Sequence, residues 1–246
     1  MKKLAFLFLT INNHKQPKVW ETFFESSESN YSIYNHPSEP HLVTDVFLKD
    51  NIIPKLVKTE WGKISLVEAT INMMEEAYND IDNYKFILLS DSCIPILLFK
   101  DVYLFLTNTN DSYILSYDGN KYRYDKLLDK SFVNKTNFKK QHQWMILNRE
   151  AVDLILKTRH HTEIFKNMFA PDEHYFTNIL VKYNFPFKNR GLTYCDWRNA
   201  TEHPKTFAKL DNKVVTQIRK RGFIFVRKVD DKTLINFSLQ NLHDNI

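Results

Sequence analysis

The stretch FAPDEHYF, residues 169–176, sets two carboxylates and a histidine among aromatic residues. Two chemistries fit it. Pro171 suits the first turn of a helix, where its missing N–H leaves nothing unsatisfied, and Asp172 and Glu173 then complement the positive end of the helix dipole. The same place also suits a carboxylate held ready to take a proton from an attacking hydroxyl. Spacing alone leaves both open.

Other candidates are weaker. Asp80-Ile81-Asp82 has the spacing of a metal-binding pair, but it falls between a helical pattern and an apolar run, where aspartate builds turns. His160-His161 with Glu163 lacks a third ligand at metal spacing, and adjacent histidines diverge on a helix. The four glycines, Gly62, Gly119, Gly191 and Gly222, lie far apart. That excludes a Gly-rich phosphate loop and a dinucleotide fingerprint. Two cysteines, Cys93 and Cys195, are too few for a disulfide scaffold or a zinc ribbon; free thiols are expected, with one bridge left open.

These residues need a scaffold, and the 246-residue chain is long enough to supply one. Hydrophobic residues make up 43% and aromatics 14%, which marks a folded protein. The formal charge of +5 suits an anionic ligand without naming it. Residues 1–11 have a basic start and an apolar run like a short signal peptide, but lack a small-x-small cleavage site, and read as a first buried strand. No apolar run approaches the ~20 residues of a membrane helix. The five N-x-S/T sequons are read as chance in an Asn-rich chain.

Strands are expected at 4–11, 31–36, 53–58, 84–91, 112–118, from 143 to about Asn148, 191–197 and 222–228. Helices are expected at 17–26, 65–79, 99–108, 148–158 and 171–183. The 65–79 segment carries Leu66, Val67, Ile71, Met74 and Ala77 at helical spacing. Strands alternating with helices predict an α/β sandwich with a mostly parallel central sheet, as one domain over residues 1–246. Ligands then belong beyond the carboxyl ends of the strands.

Six stretches, in order, carry a resemblance: WGKISLVEA, FILLSDSCIP, QHQWMIL, PDEHYF, LTYCDW followed by HPKTF, and FIFVRK. From about Lys3 to Lys228 the chain resembles the core-2/I-branching N-acetylglucosaminyltransferase family, in the short form common in plants. The resemblance implies a GT-A-like nucleotide-sugar-binding fold and inverting transfer from a UDP-sugar to a glycan hydroxyl. It also implies that no metal cofactor is used, with basic side chains holding the donor diphosphate instead. The sequence has one carboxylate, Asp91, where a metal-binding pair would follow the central strand.

By the same resemblance Glu173 is the catalytic base, and Arg190 and Lys228 bind the diphosphate. Arg198, Arg227 and the cluster Arg219-Lys220-Arg221 match less well and read as surface charge, the cluster alternatively as a cover over the phosphates. Nucleoside contacts are expected at Thr10, Ile11, His36 and Trp61, although His36 stands where animal relatives carry aspartate. Arg123 and Trp144 fall where the family binds acceptor. The donor is read as UDP-N-acetylglucosamine. The alternatives are a xylosyl- or glucuronosyltransferase of the same fold, a non-catalytic glycan-binding relative, or a nucleic-acid-binding module built on RKRGFIFVRK. The last is disfavoured by the modest charge. The expected setting is soluble and cytoplasmic, with a sugar donor and a glycan or glycoconjugate acceptor as partners and no nucleic acid.

Overall fold

A computed structural model of the chain describes residues 2–25, 27, 29–198 and 203–239. Thirteen strands are described in chain order: β1 (Lys3–Thr10), β2 (Tyr31–Pro37), β3 (Asn83–Ser90), β4 (Cys93–Pro95), β5 (Tyr113–Ile114), β6 (Ser116–Asp118), β7 (Lys139–Gln141), β8 (Ile146–Asn148), β9 (Lys188–Asn189), β10 (Thr193–Cys195), β11 (Lys209–Asp211), β12 (Phe225–Arg227) and β13 (Leu234–Asn236). The α-helices are α1 (Pro17–Glu25), α2 (Val46–Lys49), α3 (Ser65–Tyr78), α4 (Phe99–Thr107), α5 (Lys121–Tyr124), α6 (Arg149–Lys157), α7 (Thr162–Phe165), α8 (Tyr175–Lys182) and α9 (Asn212–Lys220).

The central sheet has the order β2-β1-β3-β8-β5-β9. Only β8 runs against the others, pairing antiparallel with both β3 and β5. β1 lies between β2 and β3, parallel to both, with Leu4 opposite Tyr31 on one side and Lys85 on the other. A central parallel strand is covered on both faces, which is why 4–10 is apolar without alternation. Phe6 and Phe8 meet Trp20 of α1 edge-on, at 5.8 and 4.9 Å. By strand alternation Ala5, Leu7 and Leu9 turn to the opposite face. α3 buries Val67, Ile71, Met74 and Ala77 and lies across β1, β2 and β3, against α6.

A second, three-stranded sheet, β10-β12-β4, stands beside the first. It shares a small apolar cluster with α9, built on Ile94, Ile96, Tyr194, Val215, Ile218 and Val226. The Trp20 indole N–H, 2.9 Å from the carbonyl of Cys93, pins α1 to this sheet.

Several expectations change. Residues 53–58 form no strand; one isolated bridge, Asn35 to Ile52, is all that pairs there. The expected 112–118 strand splits at Leu115, whose carbonyl is taken by His142 N–H, so that β5 joins the main sheet and β6 pairs with β7. The expected helix at 171–183 begins as a separate 3-10 turn, Pro171–Glu173, broken from α8 at His174. Arg219 is not surface charge. It is buried in α9 and donates to the carbonyls of Ile96 and Ser238.

Candidate active site

The acid turn is held from behind. Ala170 adopts the left-handed conformation, φ 52° and ψ 57°, a cost of ~1 kcal/mol or more for a residue with a Cβ. Its N–H donates to the Gly62 carbonyl at 2.9 Å, and its own carbonyl accepts from Glu173 N–H at 3.1 Å. Gly62 must be glycine: its φ is +72°, and a Cβ there would stand 2.5 Å from the Phe169 ring. Trp61-Gly62 therefore serves as a clamp on the turn that presents Asp172 and Glu173.

In front of the turn opens a cavity of about 460 Å³. Trp61, Arg123, Lys140, His142, Trp144, Phe169, Asp172, Glu173, Cys195, Trp197, His203 and Arg227 contribute to its wall. Glu173 keeps its carboxylate partly open, with one oxygen 3.0 Å from Lys140 Nζ. Asp172 is the opposite case. It is buried, its Oδ1 has no partner, and burial followed by the charge of Glu173 pushes its carboxyl up to about 7. Two adjacent carboxyls thus differ in setting, one accessible and paired with Lys140, the other buried and easily protonated.

Arg227 joins the two sheets at this cavity. Its guanidinium lies 4.4 Å over the Trp144 ring and donates to Ser90 Oγ at the carboxyl end of β3. Asp91 follows, and its carboxylate accepts from Ile11 N–H at 3.4 Å beyond the end of β1. Burial lowers His142 and pushes the Cys195 thiol up to about 12, so Cys195 stands in the wall as a neutral thiol and not as a nucleophile. Cys195 and Cys93 are both in register with Arg227, on strands either side of it. Two strand spacings put them ~9–10 Å apart, beyond the ~7 Å reach of a disulfide.

The structure brings four of the expected residues to one cavity: Glu173, Trp61, Arg123 and Trp144. Arg123 faces it while its Nη1 donates to the Phe169 carbonyl at 2.7 Å, bracing the same turn. Trp61 is 64% exposed at the mouth and meets Phe169 and His203 edge-on. Arg190 and Lys228 are not in the wall. Arg190 is exposed and donates to the Gly222 carbonyl at 2.9 Å. At the end of β12 it is Arg227, read from sequence as surface charge, that reaches the cavity.

Thr10 ends β1 and Ile11 follows it, Thr10 buried with its hydroxyl on Asn35 Oδ1 and Ile11 exposed. His36 is fully buried and its Nε2 accepts from Val57 N–H at 3.0 Å, so this side chain shapes the 53–57 segment and has no open face. Asp80 and Asp82 occupy the turn before β3, at its far end. Asp80 accepts from the Asp82 N–H and pairs with Lys3 at 2.9 Å. Arg198 pairs with Asp196. Among the described residues no three His, Cys, Asp or Glu side chains gather as a metal site would require.

Sequence reasoning assigned no site role to Lys140, His142, Trp197 and Cys195. Lys140 and His142 alternate about the end of β7, His142 within QHQWMIL and Lys140 just before it, and that alternation was the available signal.

The family model for the Core-2/I-Branching enzyme matches residues 4–219. The chain belongs to that family. Its helix-flanked, mostly parallel six-stranded sheet is a GT-A-like fold. It is similar to Glycosyltransferase BC10 of Oryza sativa subsp. japonica, 24% identical over 230 residues. The match covers 79% of this chain and 57% of the rice protein, so the chain spans little more than half of that relative's length. The solved structure of A197 from STIV is 9% identical, covers 61% of this chain and 67% of its own, and has a TM-score of 0.30, too low to speak to the fold.

Proposed function

We propose that the protein is an inverting glycosyltransferase that moves a sugar, N-acetylglucosamine from its UDP ester, to a glycan hydroxyl. The observation that supports it is the accessible Glu173 carboxylate on a braced turn, in one cavity with aromatic faces and cations, at the carboxyl ends of a mostly parallel sheet. In inverting transfer the acceptor oxygen attacks the anomeric carbon opposite the leaving UDP. Its proton must leave as the bond forms, and Glu173 takes it. Lys140, 3.0 Å from one Glu173 oxygen, holds the carboxylate in position before the proton arrives. Negative charge grows on the leaving diphosphate, and fixed cations answer it without a divalent metal. Arg227 is placed to do so, its guanidinium held by Trp144 and Ser90. Arg190 and Lys228 remain candidates for the outer phosphate oxygens. Aromatic faces at Trp61 and Trp144 suit the C–H surfaces of sugars.

Glu173→Gln tests this reading. Transfer falls by about 10²–10⁴ while UDP binding persists. A variant within a few-fold of wild type removes Glu173 as base. Thermal shift across a panel of UDP-sugars with EDTA present names the donor, and UDP-xylose or UDP-glucuronate as the best ligand would change it. A shift that appears only with Mn²⁺ overturns metal independence.

A further inference from the structure

One stretch beside the cavity is strongly basic. Residues 121–140 hold seven of the 34 Lys and Arg and two of the 29 Asp and Glu, a surplus of five; the remaining 27 and 27 balance. Most of this stretch is the excursion between β6 and β7, with Lys139 and Lys140 on β7 itself. This lobe is folded and anchored. Its ends close where Gly119 N–H meets the Phe138 carbonyl at 2.8 Å. Leu127, Phe132, Val133 and Phe138 are buried beneath it, with Phe132 edge-on to Phe165 and Phe138 stacked on His174, next to Glu173.

Its cations face out. Lys121, Lys126, Lys130, Lys135 and Lys140 are exposed. Asp125 pairs with Lys121 and, at 3.9 Å, Lys130. Arg123, Lys126 and Lys135 make no salt bridge among the described residues. The exposed Tyr122 ring has Arg123 at 5.8 Å and Lys126 at 5.4 Å. Arg123 and Lys140, near the two ends of the lobe, also line the cavity.

We infer that this lobe is the docking surface for an anionic stretch of the acceptor glycan, which it feeds toward Glu173. The inference rests on the proposed transferase reading and names its acceptor class. Continuity with the cavity favours a chain that must reach the site. Aromatic rings set between cations suit sugar rings bearing carboxylates or phosphates. The lobe's apolar side is largely turned inward, which leaves little to insert into a lipid surface. Three of its cations lack a salt bridge among the described residues, few beside the long phosphate-tracking face of a nucleic-acid binder.

The test uses the full chain and the combined variant Lys126→Glu, Lys130→Glu, Lys135→Glu, all outside the cavity wall. The probes are an oligogalacturonate, a neutral malto-oligosaccharide of equal length, a single-stranded RNA and vesicles of anionic lipid. Binding is measured at about 20 and about 200 mM NaCl, where screening differs several-fold. The oligogalacturonate binds at least about tenfold more tightly than the neutral chain, and more weakly at high salt. Charge reversal weakens it by about tenfold or more, and the matching Lys→Gln variant by less. UDP binding is unchanged in both variants, which shows that they are folded and that the donor site is intact. Equal binding of neutral and anionic chains overturns the inference, as does anionic binding indifferent to the substitutions. Tighter binding of RNA or of vesicles than of the uronate chain also overturns it and reassigns the lobe. None of these outcomes touches the Glu173→Gln result, so the two readings fail separately.

Discussion

Replacing Asp172 by asparagine changes how stability depends on pH. In the folded protein its carboxyl sits at about 7, against 3.8 when free, because burial and the neighbouring Glu173 disfavour the charge. An acid whose folded pKa is raised keeps its proton in the native state after the unfolded chain has released one. Stability therefore falls as pH rises through the window from about 4 to about 7, and levels off above it. A rise from 3.8 to about 7 sets a ceiling of about 4 kcal/mol, and the part lost between about pH 5 and pH 8 is about 2–3 kcal/mol. The asparagine side chain does not titrate and escapes that loss. Its amide also has to be satisfied where Oδ1 of Asp172 now has no partner, at a cost of ~1–3 kcal/mol, but that offset is the same at every pH. The readout is thus the difference between wild type and Asp172→Asn in urea unfolding, followed from pH 5 to pH 8. It should move in the variant's favour by about 2–3 kcal/mol. Glu173→Gln in the wild-type background should shrink that movement, since Glu173 is the second cause of the raised value. Parallel stability curves for wild type and variant would show that Asp172 ionises freely and that the two carboxyls are not differentiated.

Two further outcomes follow from the same geometry. Arg227→Ala should weaken UDP binding by calorimetry by roughly ten- to a hundredfold, and by more than Arg190→Ala or Lys228→Ala. UDP bound normally by Arg227→Ala would return the diphosphate to the other two cations. Gly62→Ala forces a Cβ onto the Phe169 ring at a positive φ. It should cost at least about 1 kcal/mol, seen as a melting point lower by about 2–4 °C for each kcal/mol, with a loss of turnover as the acid turn shifts. An unchanged melting point would mean that the clamp is slack.

What the sequence determined follows from local physics. The apolar run at 4–10 could only be a buried strand, because exposing seven consecutive hydrophobic or hydroxyl-bearing residues is costly and a parallel strand hides both faces. The spacing of Val67, Ile71, Met74 and Ala77 set α3, and Asn148 capped α6, its side chain accepting from Ala151 N–H at 2.9 Å. The alternation of these elements was enough for the sheet. The motif order was enough for the family, and it singled out the turn bearing Glu173.

Tertiary structure decided everything that depends on which distant residues meet. Arg227 and Lys228 are adjacent, and no local rule says which of them enters a cavity; the register of β12 between β10 and β4 does. His36 ends a strand and so promised a ligand contact, yet the 53–57 segment folded over it instead of forming a strand, since Val57 N–H found the imidazole as its acceptor. Asp172 and Glu173 differ by one methylene and one position. Only the packing behind Asp172 separates a carboxyl near neutrality from an accessible carboxylate, because burial is a property of the whole fold. The charge surplus at 121–140 was countable from the start, but its meaning waited for the lobe to be placed against the cavity, since charge acts through distance and distance is set by the chain's return.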